Sequence, residues 1–142
     1  MTRAESCRLL VADVYELAGA SRQSSERTAA AHGQSVARWH LMSVFSDQPL
    51  TVPSAARRLG LARQSVQRVA DDLLADGMIE RSDNPDHQRS ALYSLTATGR
   101  RTLDRIVADS DADRTQRLQR AGVTVAELDE ARETLRKLLA VL

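Results

Sequence analysis

Two glycines, Gly60 and Gly77, divide the middle of the chain and constrain its fold more than any other feature. Thr51 is a suitable N-cap for the segment VPSAARRL that precedes Gly60, and Pro53 is tolerated in the first turn of a helix. A second helix is predicted over 61–76, where Gly77 supplies a C-terminal stop. Its inward apolar positions recur every three or four residues, at Val66, Val69, Leu73 and Leu74. The sequence therefore predicts two short helices joined by a glycine turn.

After Gly77 the apolar period changes from that of a helix to that of a strand. The segments 78–82 (MIERS) and 91–95 (ALYSL) predict two short strands, with apolar residues at Met78 or Ile79, Tyr93 and Leu95. Between them, 83–90 (DNPDHQRS) is a polar tip without a glycine, in which Pro85 limits backbone freedom. Two short helices followed by a hairpin make a winged helix–turn–helix. In that fold the second helix enters a major groove and the hairpin, or wing, reaches the adjacent minor groove or backbone.

Longer helices are predicted on both sides of this unit. The N-terminal helix, which ends near Gly33, has an apolar seam at Cys7, Leu10, Val14 and Leu17. A second helix follows, with its apolar face at Val36, Trp39, His40, Val44 and Phe45. Thr96 is expected to cap a third long helix, whose apolar residues are Leu103, Ile106 and Val107. A capping box over 124–127 begins the last helix, which has a leucine-rich seam at 128–142. The predicted fold class is mainly α with a small β-hairpin wing.

The charge distribution indicates a polyanionic partner. The net charge is only +1, but no acidic residue lies between Asp47 and Asp71, whereas four arginines do: Arg57, Arg58, Arg63 and Arg68. A local basic block of this kind is typical of a surface that faces a polyanion. The alternative is a solvated helix face, which usually mixes both signs.

Other chemistries find little support in the sequence. The single cysteine excludes an internal disulfide and a cysteine-cluster metal site, and the three histidines show no metal-ligand spacing. There is no nucleophile motif or phosphate loop, so we expect no enzyme, no metal and no cofactor. No run of about 18 apolar residues is present, so no membrane span is predicted. The charged N-terminus does not resemble a signal peptide, and a cytoplasmic protein is expected.

The candidate DNA-binding residues lie on the second short helix and the wing. With the apolar residues of that helix inward, its N-terminal half presents Arg63, Gln64, Ser65, Gln67 and Arg68 outward. Glutamine can pair with adenine and arginine with guanine, and either can hold phosphate. On the wing, His87, Gln88 and Arg89 are the candidates. Arg89 is expected to enter the minor groove, oriented by Asp86 or His87. The alternative for each set is an ordinary solvated surface.

Residues from about 36 to 100 resemble the MarR family of bacterial transcription regulators. The resemblance rests on Arg38-Trp39-His40-Leu41, on the segment 50–82, on Arg89 and on the ending Leu95-Thr96-x-x-Gly99. Two positions depart from the family pattern. His87, Gln88 and Arg89 stand where many members have Asp-Arg-Arg, and Ala62 stands where a serine N-cap is frequent.

The resemblance implies a domain organisation and an oligomeric state. It implies one domain over 1–142, with dimerisation helices in 1–33 and 101–142 and a DNA-binding lobe over 34–100. The expected homodimer places its two recognition helices roughly 34 Å apart on a pseudo-palindromic operator in double-stranded DNA. The function implied is a sequence-specific regulator, a repressor controlled by a small-molecule effector. The alternative is a winged helix that binds protein instead of DNA.

Three further residues are singled out by the resemblance. Trp39 and His40 lie near the junction where effectors sit in this family, although an apolar position such as Trp39 is also explained by core packing. Cys7 invites comparison with the peroxide-sensing branch, which uses an N-terminal cysteine. Its place on the apolar seam favours an inert buried thiol instead.

Overall fold

The computed structural model describes residues 1–142 as six helices and one hairpin. In chain order the elements are α1 (Arg3–Ala31), α2 (Val36–Asp47), α3 (Val52–Leu59), α4 (Arg63–Ala75), β1 (Ile79–Ser82), β2 (Leu92–Leu95), α5 (Ala97–Ala121) and α6 (Val125–Leu139). The predicted fold class, mainly helical with a small hairpin wing, is confirmed. Backbone contacts divide the chain into two compact units, Met1–Val107 and Ala108–Leu142. No helix has the length and apolar character needed to cross a membrane.

The turn between α3 and α4 forms around Gly60. Thr51 caps α3 by accepting a hydrogen bond from the Ser54 N–H at 3.2 Å. Gly60 then takes a left-handed conformation with φ of 66°, which costs glycine little because it has no Cβ. The Leu61 N–H donates a hydrogen bond back to the Ala56 carbonyl at 3.0 Å, which is a typical helix C-terminal pattern.

The prediction that α4 starts at residue 61 is wrong by two residues. Leu61 belongs to the end of the preceding helix through its hydrogen bond to Ala56. Ala62 is extended, with φ of −68° and ψ of 142°, and serves as the N-cap of a helix that begins at Arg63. At its other end α4 stops at Ala75, and Gly77 adopts φ of 70° as the predicted stop.

The wing is an antiparallel hairpin with Ile79 opposite Leu95 and Ser82 opposite Leu92. Each strand is one residue shorter than predicted, because Met78 and Ala91 lie outside the ladder. The alternative between Met78 and Ile79 is settled in favour of Ile79, which is buried, while Met78 is half-buried. An unpredicted bridge adds Leu50 beside Tyr93, with N–H···O distances of 2.8 and 3.1 Å.

One apolar core holds the helix–turn–helix and the wing together. The largest of its buried side chains come from α2, α4, β1 and α5: Leu41, Met42, Phe45, Val66, Leu73, Ile79 and Ile106. The rings of Phe45 and Tyr93 stack with centroids 5.8 Å apart, so Tyr93 is a core residue that fixes the second wing strand on α2. On α5 the predicted Leu103 and Ile106 are buried, but Val107 is exposed.

The wing joins α5 through a close contact at Gly99. The Thr96 hydroxyl accepts from the Gly99 N–H at 3.1 Å and donates to the Gly77 carbonyl at 2.6 Å. The Thr96 N–H donates a hydrogen bond to the Met78 carbonyl at 3.1 Å. A Cβ on Gly99 would lie 1.9 Å from that carbonyl oxygen, so only glycine fits without a shift of backbone. This joint fixes the orientation of the wing against the end of α4.

The two terminal helices begin with matching caps. At α1, Thr2 and Glu5 form a capping box, and at α6 Thr124 and Glu127 form another, as predicted for the second. The Thr124 N–H and the Thr124 hydroxyl each donate a hydrogen bond to the Glu127 carboxylate at 2.8 Å. Both bonds lower the pKa of Glu127 below its ordinary value of 4.5, and the bond from the backbone N–H has the larger effect.

Both ends of the chain present apolar side chains to solvent. In α1 the predicted seam is only half-buried at Cys7 and Leu10, and Leu17 remains 70% exposed. The expectation of a buried thiol at Cys7 is therefore not met within the single chain. In α6 no residue is buried, although Leu135 and Leu138 are half-buried.

Candidate nucleic-acid interface

The N-terminal half of α4 presents polar side chains to solvent. Its inward face carries the buried Val66, Ala70 and Leu73, with Val69 and Leu74 partly buried beside them. On the opposite face the predicted residues Arg63, Gln64, Ser65 and Arg68 are exposed, and Gln67 is half-buried. The structure thus places all five predicted helix residues on the outer surface or flank of α4.

The first turn of α4 carries unused hydrogen-bond donors. Ala62 has no side chain that could cap the helix, and the first intrahelical bond is from the Val66 N–H to the Ala62 carbonyl at 3.1 Å. The backbone N–H groups of Arg63, Gln64 and Ser65 therefore face solvent at the positive end of the helix dipole. Such a turn favours an anion such as a phosphate group.

The wing tip folds upon itself through short-range hydrogen bonds. The Asn84 side-chain oxygen accepts from the Asp86 N–H at 3.1 Å, and the Asn84 carbonyl accepts from the His87 N–H at 3.3 Å. His87 Nδ1 in turn accepts from the backbone N–H of Arg89 at 3.3 Å. The tip is therefore a set of local turns in place of a two-residue hairpin.

These contacts correct the predicted orientation of Arg89. Asp86 makes no ion pair with Arg89, and the bond from His87 reaches the backbone of Arg89, not its guanidinium group. The Arg89 side chain is thus left unpaired while its backbone is held. Gln88 lies next to it and lines a smaller cleft on the wing with Asp83, Asn84 and Pro85.

A cleft of about 380 Å³ separates α4 from the wing and brings the candidate residues together. Its polar lining comes from both elements: Arg63, Gln64, Gln67 and Asp71 from α4, and Arg81 and Arg89 from the wing. None of the three arginines makes an ion pair within the chain. Ser65 and Arg68, by contrast, are exposed on α4 outside the cleft.

Two residues of the cleft were missed from the sequence. Arg81 lies in β1 opposite Tyr93, and only the pairing of the two strands indicates that it adjoins Arg89. Asp71 lies one turn after Gln67 and accepts a hydrogen bond from the Gln67 amide nitrogen at 2.9 Å. The spacing of four residues could have indicated this pair.

The other two arginines of the basic block are engaged elsewhere. Arg57 donates to the Ser54 hydroxyl at 3.0 Å, and Arg58 pairs with Asp47 at 3.3 Å. Both contacts lie away from the cleft. Of the four arginines in the basic block, Arg58 is therefore the one paired with an acidic side chain, and Arg57, Arg63 and Arg68 have no ion pair.

The remaining candidates lie apart from this cleft. Trp39 is half-buried against the core and His40 is exposed, with ring centroids 6.2 Å apart. Arg38, beside them, pairs with Asp76 at 2.6 Å and links α2 to the end of α4. No group of three or more histidine, cysteine, aspartate or glutamate side chains is placed to hold a metal ion.

Comparison with known proteins identifies a family over the middle of the chain. A family model described as "MarR family" matches residues 32–90. An uncharacterized protein of Mycobacterium tuberculosis is 50% identical over 133 residues, which is 94% of this chain and 92% of that protein.

Solved structures share the fold over most of the chain. A crystal structure of a MarR family transcription regulator superposes with a TM-score of 0.89 over 97% of this chain and 91% of its own, at 24% identity. CouR from Rhodococcus jostii RHA1, solved bound to p-coumaroyl-CoA, superposes with a TM-score of 0.75 over 88% of this chain and 87% of its own, at 20% identity. Members of this family are transcription regulators and not enzymes. With its helix–turn–helix, wing and flanking helices in the family order, the chain belongs to the MarR family.

Proposed function

We propose that this protein is a homodimeric, sequence-specific DNA-binding regulator, a repressor that responds to a small molecule. The observation that carries the proposal is the cleft in which arginines from α4 and from the wing lie together without an acidic ion-pair partner. Contacts between arginine side chains and phosphate groups supply a large share of the affinity of a protein for DNA. Gln64, Gln67 and Arg68 on α4 supply side chains that can read base edges.

The polar character of α4 supports DNA over the protein-binding alternative. A helix that docks on a protein would present an apolar stripe at its surface. Here the apolar residues Val66, Ala70 and Leu73 are all buried in the core of the same chain. The outer face keeps only arginine, glutamine and serine in its first two turns. A partner of high negative charge suits this surface best.

The proposed dimer rests on apolar surface at each end of the chain. In α1 the exposed large apolar side chains include Leu9, Val14 and Leu17, and in α6 they include Val125 and Leu128. Exposed apolar surface on this scale is typical of an interaction site. Pairing of the terminal helices with those of a second copy would cover these residues and bring two α4 helices to one duplex.

The effector proposal rests on the site near Trp39 and on one similar structure. Trp39 is half-buried and His40 exposed on α2, so an apolar and a polar group lie side by side. Arg38 connects the same turn of α2 to Asp76 at the end of α4. CouR, which has this fold, was solved with an acyl-CoA ester bound. A ligand that contacts α2 here could change the position of α4 through that ion pair.

Selection of bound sequences from a random pool of duplex DNA tests the proposal. The expected result is a two-fold symmetric consensus with half-sites separated by about one helical turn, 10–10.5 base pairs. A pool that shows no enrichment after repeated rounds would contradict sequence-specific binding. Enrichment of a single half-site without symmetry would contradict the dimer while leaving DNA binding intact.

A further inference from the structure

The hydrogen bond between Gln67 and Asp71 fixes which end of the glutamine amide is held by the protein. The Gln67 amide nitrogen lies 2.9 Å from one carboxylate oxygen of Asp71. An ionised carboxylate can only accept hydrogen bonds, so the amide NH₂ must face Asp71 and the carbonyl oxygen must lie at the other end. The Gln67 carbonyl has no hydrogen bond within the chain. It is therefore an oriented acceptor on the flank of the helix that faces the wing.

Asp71 lies in a cleft with Arg63, Arg81 and Arg89, yet it forms no ion pair with any of them, and Gln67 is its only side-chain partner. An acidic residue in a cleft proposed to receive DNA is unfavourable near phosphates, because like charges repel. Its place one turn behind Gln67 is explained if its role is to hold the amide.

We propose that Asp71 is a specificity-determining residue that makes Gln67 select a base with a hydrogen-bond donor in the major groove. An unrestrained glutamine amide can rotate and offer either its donor or its acceptor. The restrained amide always presents its carbonyl, with the second N–H beside it, and the carbonyl is paired only by the N6 amino group of adenine or the N4 amino group of cytosine. Guanine and thymine present only acceptors on this edge. The inference rests on the proposed DNA binding and specifies how one position of the operator is read.

Substitution of Asp71 by asparagine tests the inference. An asparagine can donate as well as accept, so the Gln67 amide becomes free to face either way. The preference at one base position should therefore relax without any loss of overall affinity, since a negative charge also leaves the cleft. The matched control is Asp72→Asn, which removes the same charge from an exposed neighbour on α4 that does not line the cleft.

The measurement is selection from a random duplex pool with wild type, Gln67→Ala, Asp71→Asn and Asp72→Asn. The base pair that Gln67 reads is identified as the operator position at which Gln67→Ala abolishes the base preference. Wild type and Asp72→Asn are expected to favour adenine or cytosine there by about fivefold or more, the discrimination of a good base contact. Asp71→Asn is expected to reduce that preference below about twofold, since its amide presents both orientations.

Three outcomes would overturn the inference while leaving DNA binding intact. These are an unchanged preference in Asp71→Asn, a wild-type preference for guanine or thymine, or no base position affected by Gln67→Ala. The pair would then be only a side-chain contact between neighbouring turns of a helix. If wild type enriches no sequence at all, the proposed function fails and this inference fails with it.

Discussion

Replacement of Gly99 by alanine should destabilise the protein even though alanine is the better helix former. Gly99 lies in the first turn of α5, and a Cβ there would lie 1.9 Å from the Met78 carbonyl oxygen and 3.2 Å from a methyl group of Leu95. Since the nearest atom belongs to the backbone, the overlap cannot be relieved by a side-chain rotation. The end of α4 and the start of the wing would have to move away from α5.

The magnitude follows from three opposing terms. Overpacking of a close contact costs about 1–3 kcal/mol. Displacement of the Met78 carbonyl also weakens its hydrogen bond with the Thr96 N–H, for roughly 0.5–1.5 kcal/mol. The gain in helix propensity from glycine to alanine returns about 1 kcal/mol. The net loss is therefore about 0.5–3.5 kcal/mol, which for a chain of this size lowers the melting temperature by roughly 2–10 °C.

The assay is urea unfolding followed by circular dichroism, with Gly19→Ala as the control. Gly19 lies within α1 and has no atom within 4 Å of the position of an added Cβ. The same substitution there should stabilise the protein by up to about 1 kcal/mol. If Gly99→Ala proves as stable as wild type or more stable, the close approach of α5 to Met78 is wrong.

Three further predictions concern α4 and α6. Leu135→Asp combined with Leu138→Asp should abolish the proposed dimer, because burying a charge in its interface is strongly unfavourable. Sedimentation of the wild type as a monomer at micromolar concentration would contradict the dimer itself. Ala62→Ser should stabilise the protein by about 0.5–2 kcal/mol in urea unfolding, because the extended N-cap of α4 lacks a side-chain bond; an unchanged midpoint would show that the cap does not form. Glu127, whose pKa is lowered by the Thr124 N–H and hydroxyl, stabilises α6 above pH 4.5 and loses this effect as pH falls through its lowered folded value. Melting curves of Glu127→Gln and wild type should therefore converge as pH falls below 4.5, and a pH-independent difference would refute the role of charge.

The order of elements could be predicted from local signals. Glycines with positive φ end α1, α3 and α4 at Gly33, Gly60 and Gly77, and threonine caps begin α3 and α6. These signals act within a few residues, so the sequence alone contains the information. The start of α4 was placed two residues early because the hydrogen bond of Leu61 to Ala56 continues the preceding helix end past the glycine.

The shape of the candidate site required the tertiary structure. The helical period is enough to predict which residues of α4 face outward. The proximity of Arg81 to Arg89, however, depends on how the two strands of the wing pair, which the sequence does not specify. The bridge from Leu50 to Tyr93 joins residues 43 positions apart and has no local sequence signal. The Gly99 motif was visible as a pattern, but its reason is the distance to Met78, which only the fold provides.

Salt-dependent titration of the selected operator tests most directly whether α4 and the wing together form a DNA-binding surface. The wild-type affinity is expected to fall steeply as salt increases, since phosphate contacts release counterions. Arg89→Ala should weaken binding and reduce the slope of log K against log salt by about one unit for each protomer if its contact is to phosphate. The matched control is Arg105→Ala, which removes the same charge from an exposed position on α5 outside the cleft and should leave both quantities nearly unchanged. An affinity that does not depend on salt, or an Arg89→Ala variant that behaves like Arg105→Ala, would contradict the claim.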